Sequence, residues 1–297
     1  MPAPSAQPPL APPPTDPMAT VHRPARALIG WMPPDEAHLW FTSRRKDVAP
    51  SAEEVARAQQ AVATVASRSL GLDQSGIVHD APGELDVHVK ALQADPATAA
   101  LFAAGWWAAV VDLGSVCAAQ PMVHVDHADE RVAPADPDDL ASVAAISLPT
   151  ATPQELPVNF DAQQKAWIFA SANPNLRITG AGIGTGDGGP VVGFTVTITT
   201  SLVKVARYRG RYILTDGYHR ALGFLRRGVR HVPALVGDVT SFEALGFPAG
   251  MLSQDTYLGD RPPQLADYLD DEVAADVEVP ATHKTIVITG LEVNTSG

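Results

Sequence analysis

The sequence predicts an α+β protein with a mainly helical N-terminal half and a mixed α/β C-terminal half. Alanine-rich runs opened by helix-capping residues fill the region from residue 25 to 145, while apolar and polar residues alternate from about Ile146 onward. Across 297 residues, 45% apolar and 18% charged side chains are ample for a packed core, and the length suits one large or two ordinary domains. The texture divides the chain into a proline-rich tail (1–24), a mainly helical region (25–145) and an α/β domain with an acidic C-terminal extension (146–297).

The tail holds nine prolines and almost no large apolar side chains, so it cannot bury enough surface to offset its ordering entropy and is expected to be disordered. It lacks the cationic start and apolar stretch of a secretory signal, and its Pro-x-x-Pro spacings suit an aromatic groove on a protein partner. Ser51, followed by Glu53, Glu54 and an alanine-rich run to Ser67, predicts an N-capped helix with acids in its first turn. Pro82-Gly83 opens a second helix, Glu84 to Leu92. Asp95-Pro96 opens a third, expected to carry Leu101, Phe102, Trp106, Trp107 and Val110 and to form the buried centre of this half. Short strands are expected around Leu28 to Met32 and Met122 to Val125.

In the second half, Phe194 to Thr199 alternates apolar and polar residues, and Leu202 to Val205 pairs with Tyr212 to Leu214 around a turn at Arg209-Gly210. A helix from about Gly217 to Arg227 and a strand from Val232 to Val236 follow. Thr285 to Ile288 forms a last strand. The glycine-rich stretch Gly180 to Gly189 formally matches a dinucleotide fingerprint, but Pro190 and a β-like run stand where a helix should begin, so it reads as a flexible hairpin loop beside the neighbouring site.

Charge narrows the function classes. Asp+Glu number 33 against 21 Lys+Arg, a net −12, which argues against a general binder of extended nucleic acid. The charge is segregated: Lys204 to His231 carries eight basic side chains and one acid, a local +7 that leaves −19 on the rest. Such an island suits a small anion, or an acidic partner surface; the plain alternative is a solvated arginine face paired with neighbouring carboxylates, for which the acidic run Asp267 to Glu278 offers an in-chain partner. No apolar run reaches the length of a membrane span, and the single cysteine, Cys117, permits no intramolecular disulfide and fits a reducing, cytoplasmic compartment. His124-Val125-Asp126-His127 holds metal-ligand residue types, but nothing else with ligand spacing supports it, so no metal site is expected.

The strongest local feature is Arg211-Tyr212-Ile213-Leu214-Thr215-Asp216-Gly217-Tyr218-His219-Arg220. Asp216 is placed to cap the helix, and Gly217 allows a tight turn. The amides of Gly217, Tyr218 and His219 then point outward with the positive end of the helix dipole behind them, so a phosphate or carboxylate can sit there with His219 and Arg220 as side-chain donors.

The string from Gly210 to Val239, GRYILTDGYHRALGFLRRGVRHVPALVGDV, resembles the signature region of the ParB/sulfiredoxin-like superfamily: strand, basic glycine turn, helix, glycine, and a strand carrying Val-Pro. Its branches carry Gly-Glu-Arg-Arg in CTP-hydrolysing ParB proteins, Gly-Cys-His in sulfiredoxins and Asp-Gly-His-Thr-Arg in free-serine kinases, and in each the matching turn contacts nucleotide phosphates. The resemblance covers about 30 of 297 residues and implies a ParB/sulfiredoxin-like fold for the C-terminal half. It also implies phosphate contacts at Gly217, His219 and Arg220, and a capping, metal-binding or catalytic role for Asp216. No cysteine stands in the sulfiredoxin position, the Glu-Arg-Arg of the CTP switch is absent and no basic helix-turn-helix follows, so sulfinic-acid reduction and DNA clamping are not implied. The Asp-Gly-x-His-Arg form is most similar to the kinase branch. It implies ATP or another nucleotide with Mg²⁺ and phosphoryl transfer to a small molecule, with Asp216 and His219 as catalytic candidates and Glu243 and Asp238 as further carboxylates. The expectation from a different class is a non-catalytic interaction or assembly protein that uses the arginine-rich face.

Overall fold

The computed structural model describes residues 21–43, 47–150, 156, 158–171, 173, 175–281 and 284–290. Most of the proline-rich tail, residues 1–20, lies outside them, and the last residues assigned to it, from His22 to Pro24, instead open a strand. In chain order the strands are β1 (His22–Ala27), β2 (Val78–Asp80), β3 (Trp107–Asp112), β4 (Met122–His124), β5 (Val158–Asp161), β6 (Ala166–Ser171), β7 (Leu176–Gly186), β8 (Gly189–Ile198), β9 (Lys204–Tyr208), β10 (Arg211–Asp216), β11 (His231–Asp238), β12 (Ala275–Pro280) and β13 (Lys284–Thr289). The helices are α1 (Pro34–Phe41), α2 (Ala52–Ser67), α3 (Asp86–Ala94), α4 (Pro96–Ala103), α5 (Val125–Val132), α6 (Leu140–Ser147), α7 (Tyr218–Arg226) and α8 (Gln254–Leu258). With 34% helix and 32% strand the protein is α+β, and the N-terminal part holds more of the helices.

Local chemistry accounts for many of these boundaries. Ser51 and Glu54 form a reciprocal capping box that starts α2, and Asp95 accepts from Ala97 N at 2.9 Å to start α4. Arg209 (φ 49°) and Gly210 (φ 75°) make the two-residue turn between the antiparallel strands β9 and β10, since the left-handed conformation at both positions matches the strand twist. Pro233 sits in β11 before the stretch that β9 pairs begins at Leu235, so its missing N–H falls where β9 offers no acceptor.

The third helix is shorter than its sequence predicts. It stops at Ala103, Gly105 turns the chain with φ 86°, and Trp107 to Asp112 is strand β3. Leu101 and Phe102 are half-buried and Trp107 is exposed, so the helix is not the centre of this half; that place belongs to Ala109 and Val111 on β3. The division at residue 145 is not a structural seam either. The main sheet runs β10-β9-β11-β3-β2, so β2 and β3 complete the sheet of the glycine-turn segment, and a second sheet runs β12-β1-β4. One apolar cluster contains Leu28, Val111, Val123, Leu214, Phe224, Val236 and Val277, and thus residues from both regions.

Helix α7 covers this core with Ala221, Leu222 and Phe224 and lies against α5. The approach is close because position 223 is glycine: a Cβ there would come within 2.3 Å of the Ala128 carbonyl oxygen. The glycine-rich stretch is a hairpin, as expected, but most of it is strand rather than loop. In the β7–β8 ribbon, Ile183 faces Val192 and Ala181 faces Phe194, while Gly182 pairs with Gly193 and Gly184 with Val191 on the opposite face. A further sheet has the order β13-β6-β5. No helix among the described residues is long and apolar enough to cross a membrane.

Candidate functional site

A cleft of about 170 Å³ opens at the start of α7. Its walls come from three places: Asp216 to Arg220 at the β10–α7 junction, Gln120, His127 and Arg131 from the segment around β4 and α5, and Asn175 and Ser201 beside the base of the β7–β8 ribbon. All five residues expected from the sequence, Asp216, Gly217, Tyr218, His219 and Arg220, line it.

Their roles differ in detail from the expectation. Gly217 is the N-cap, at φ 89°, and no side chain caps α7. Asp216 does not reach the later amides because its carboxylate is engaged locally. Oδ1 accepts from Gly217 N (2.8 Å) and Ser201 Oγ (2.9 Å), and Oδ2 accepts from Leu202 N (3.2 Å). Asp216 therefore ties the end of β10 to the chain entering β9. The first helical hydrogen bond is donated by Ala221 N to Gly217 O at 2.9 Å. The preceding amides, of Tyr218, His219 and Arg220, have no acceptor within the helix, the ordinary condition of a helix start and a ready donor set for an anion. The Tyr218 phenol is buried away from solvent, donating to Leu214 O and accepting from Ala119 N, so Tyr218 offers the cleft its backbone.

Three arginines of the cationic island are neutralised. Arg207 pairs with Asp238, Arg226 with Asp129 and Arg230 with Asp112. Arg211 donates to Gly259 O, and Arg227 to Val132 O and Ala135 O. The acidic run is not their partner: Arg26 pairs with Asp271 and Asp276, and Arg68 with Asp267 and Asp270. Arg220 lines the cleft. Its Nη1 donates to Ser201 O (2.8 Å) and Ser201 Oγ (3.1 Å), with no carboxylate within ion-pair distance among the described residues. Burial and the neighbouring Arg131 draw its pKa down to about 10, which still leaves it charged at neutral pH. Two guanidiniums and a helix N-terminus thus converge on one small cleft. Lys204, which belongs to the island too, lies over the Trp106 ring at 4.7 Å, and burial lowers its pKa.

Three imidazoles meet beside them. The ring centroids of His124, His127 and His219 are 5.6 to 6.1 Å apart, with His124 and His219 nearly parallel. Arg23 donates to His127 Nε2 at 2.8 Å and also pairs with Asp126 at 3.1 Å. Because a guanidinium can only donate, that nitrogen is an acceptor and Nδ1, 3.3 Å from Glu130 Oε2, carries the proton. Burial lowers the pKa of both His124 and His127, with the charge of each other or of Arg23 adding to it. His219 is lowered furthest, to about 3, by burial first and then by His127, His124, Arg131 and Arg220. Its Nε2 is buried and has no hydrogen-bond partner. The described residues hold no group of His, Cys, Asp and Glu arranged to bind a metal.

A neutral His219 in the fold and an ordinary one in the unfolded chain make stability depend on pH. Between about 6.5 and about 3 the unfolded chain binds a proton at this residue that the native state does not, so stability is fully present above about pH 6.5 and falls as the pH drops through that window. Urea unfolding at steps through the window is expected to show this loss, and His219→Gln to flatten it; an unchanged slope in the variant counts against a neutral His219.

Asp238 and Glu243, the further carboxylates considered for catalysis, do not line the cleft: Asp238 is paired with Arg207, and Glu243 begins a 3-10 turn outside it. Sequence reasoning missed Gln120, His127, Arg131, Asn175 and Ser201 as parts of the same site. The His124-x-x-His127 spacing was the one local signal, and it pointed to metal chemistry rather than to the glycine turn. Comparison of the chain with protein-family models, with curated proteins and with solved structures finds no match, so the chemistry of the cleft has to be read from its own geometry.

Proposed function

We propose that the protein binds a small phosphate-bearing ligand at the start of α7, with the phosphoryl group held by the amides of Tyr218 to Arg220 and by Arg220 and Arg131. The observation that carries this is a pair of cations, Arg220 and Arg131, with no carboxylate partner among the described residues, set around an open helix N-terminus beside a buried His219 Nε2 that no described residue satisfies. A half-buried guanidinium without a counter-charge and an orphaned ring nitrogen are costly unless a ligand satisfies them. The resemblance to the ParB/sulfiredoxin-like superfamily supports the same place, since the β9, β10, α7, β11 order sets the glycine turn at the cleft.

The cleft favours a phosphoryl group over a whole nucleotide as the enclosed part. Its volume of about 170 Å³ falls below the roughly 300–1,000 Å³ usual for pockets that enclose a drug-sized ligand. A nucleotide would therefore place its terminal phosphates inside and its nucleoside outside. Mg²⁺ prefers one or two carboxylates together with ligand phosphates, and Asp216 is the carboxylate on the wall that could serve it. ATP-dependent transfer to a small hydroxylated molecule is the catalytic form of this proposal. Asp216 would then position the acceptor or the metal, and a neutral His219 would take the hydroxyl proton.

The alternative of an assembly protein docking through its arginine face is the weaker reading, because Arg207, Arg226 and Arg230 already have carboxylate partners. Thermal unfolding with inorganic phosphate and with ATP, ADP, CTP and GTP, each with Mg²⁺, distinguishes the two. A true ligand at a hundredfold excess over its Kd stabilises by about 2.7 kcal/mol. A shift with phosphate or a nucleotide that disappears in His219→Ala supports the site, and no shift with any of them overturns it.

A further inference from the structure

Of the three imidazoles, His219 alone combines a place on the cleft wall with a ring nitrogen that none of the described residues satisfies. His127 also lines the cleft, but Arg23 occupies its Nε2 and Glu130 lies at its Nδ1. His124 has an unpartnered Nδ1, but it is not on the wall. The charged and titratable groups around His219 are Asp216 and Arg220 from the β10–α7 junction, His124, Asp126, His127, Glu130 and Arg131 from β4 and α5, and Arg23 from β1. Burial first, and then His127, His124, Arg131 and Arg220, hold the empty ring neutral. Asp126 is tied to Arg23, and Asp216 to Ser201, Gly217 and Leu202.

A neutral imidazole has one donor and one acceptor nitrogen. An oxyanion entering between Arg131 and Arg220 changes both conditions: it supplies a partner for Nε2 and opposes the positive field. Resting on the phosphate-binding reading above, we infer that the cleft is a proton-linked phosphate site: it takes a phosphoryl group that brings an ionisable proton, shared between a ligand oxygen and His219 Nε2, in preference to an oxyanion without one. The ligand class is inorganic phosphate or a terminal phosphomonoester. The second ionisation of each lies near neutrality, at about 6 for a phosphate ester, so the proton can rest on either side of the hydrogen bond. Sulfate has the same shape and charge but carries no proton at neutral pH. It can use Nε2 only as an N–H donor or by drawing a proton from solvent onto a ring whose surroundings resist it. A phosphodiester is limited in the same way.

The test is calorimetric titration of the full chain with inorganic phosphate and with sulfate at matched ionic strength, between about pH 6 and pH 8, in two buffers of different ionisation enthalpy. The expected result is phosphate over sulfate by about tenfold or more at the upper pH, the worth of one well-made hydrogen bond. Sulfate affinity should rise as the pH falls, with proton uptake visible as a buffer-dependent heat. His219→Ala should bring the two affinities together. The wild-type ratio requires no variant, so a folding defect in His219→Ala does not obscure it. Equal affinities at every pH overturn the proton link and leave the anion site standing. A preference that survives in His219→Ala overturns the assignment to this ring. Binding of neither ion overturns both the inference and the reading beneath it.

Discussion

Gly217→Val is expected to be the most damaging single substitution in the site, costing roughly 3 kcal/mol or more of stability. Left-handed backbone costs an L-residue about 1–2 kcal/mol, more for a β-branched one, and forcing methyl groups into packed space typically adds about 1–3 kcal/mol. Both terms apply at φ 89°. A Cβ at this position meets Leu202 O at 2.8 Å and Val203 Cα at 2.9 Å, and these are backbone atoms that cannot rotate aside. The same junction holds the Asp216 tether to Ser201 and Leu202, so its distortion moves two walls of the cleft together. Urea unfolding checks it, with Gly217→Ala expected between wild type and valine. A valine variant within about 0.5 kcal/mol of wild type would show that the turn does not require the left-handed conformation.

Arg220→Met is expected to separate binding from stability. Phosphate affinity should fall by roughly ten- to a hundredfold, since a hydrogen bond to a charged group contributes about 1.5–3 kcal/mol. Stability should stay within about 1 kcal/mol of wild type. The substitution loses the bonds to Ser201 but removes a half-buried cation that lacks a carboxylate partner and sits beside Arg131. A residue kept for packing would give the opposite pattern. Arg230→Met supplies the contrast, because Arg230 is paired with Asp112, neither lines the cleft, and the substitution should leave phosphate affinity unchanged. Titration calorimetry and urea unfolding on both variants decide the matter; an Arg220→Met protein that unfolds readily while its folded fraction binds normally would remove Arg220 from the site.

The segment from Lys204 to Asp238 was legible because its punctuation is local. Arg209-Gly210 and Asp216-Gly217 are turns whose cause lies in the residues themselves, and the alternation on either side sets the strands. Strand β3 was misread as helix for a physical reason. An interior strand covered on both faces has no polar residues to mark a period of two, so Trp106 to Val111 is equally a buried helix until pairing with β11 decides it. The cleft was half legible. Asp216 to Arg220 stood out as a helix start, but His127 and Arg131 come from a helix some 90 residues earlier in the chain, and only the packing of α5 on α7 brings them there. The charge of the island was read correctly as a sum, but not as a distribution. Which arginines have partners depends on Asp112, Asp129 and Asp238, whose positions the fold alone supplies.

The pairing of β1 with β12 joins His22 to Pro280 and Ala27 to Ala275, and β1 in turn holds β4, from which α5 departs. During synthesis, therefore, β1, the strand that holds the wall presenting His127 and Arg131, lacks its own neighbour β12 until residues 275–280 have emerged. Loops of this length carry a high closure entropy and slow the search for native contacts. The glycine turn can form early from its own residues, whereas the cleft it serves is among the last features to be completed. Until then a nascent or truncated chain holds Arg220 opposite a wall whose supporting strand has one unpaired edge, and affinity for the ligand is expected to report completion of the fold rather than the presence of the motif.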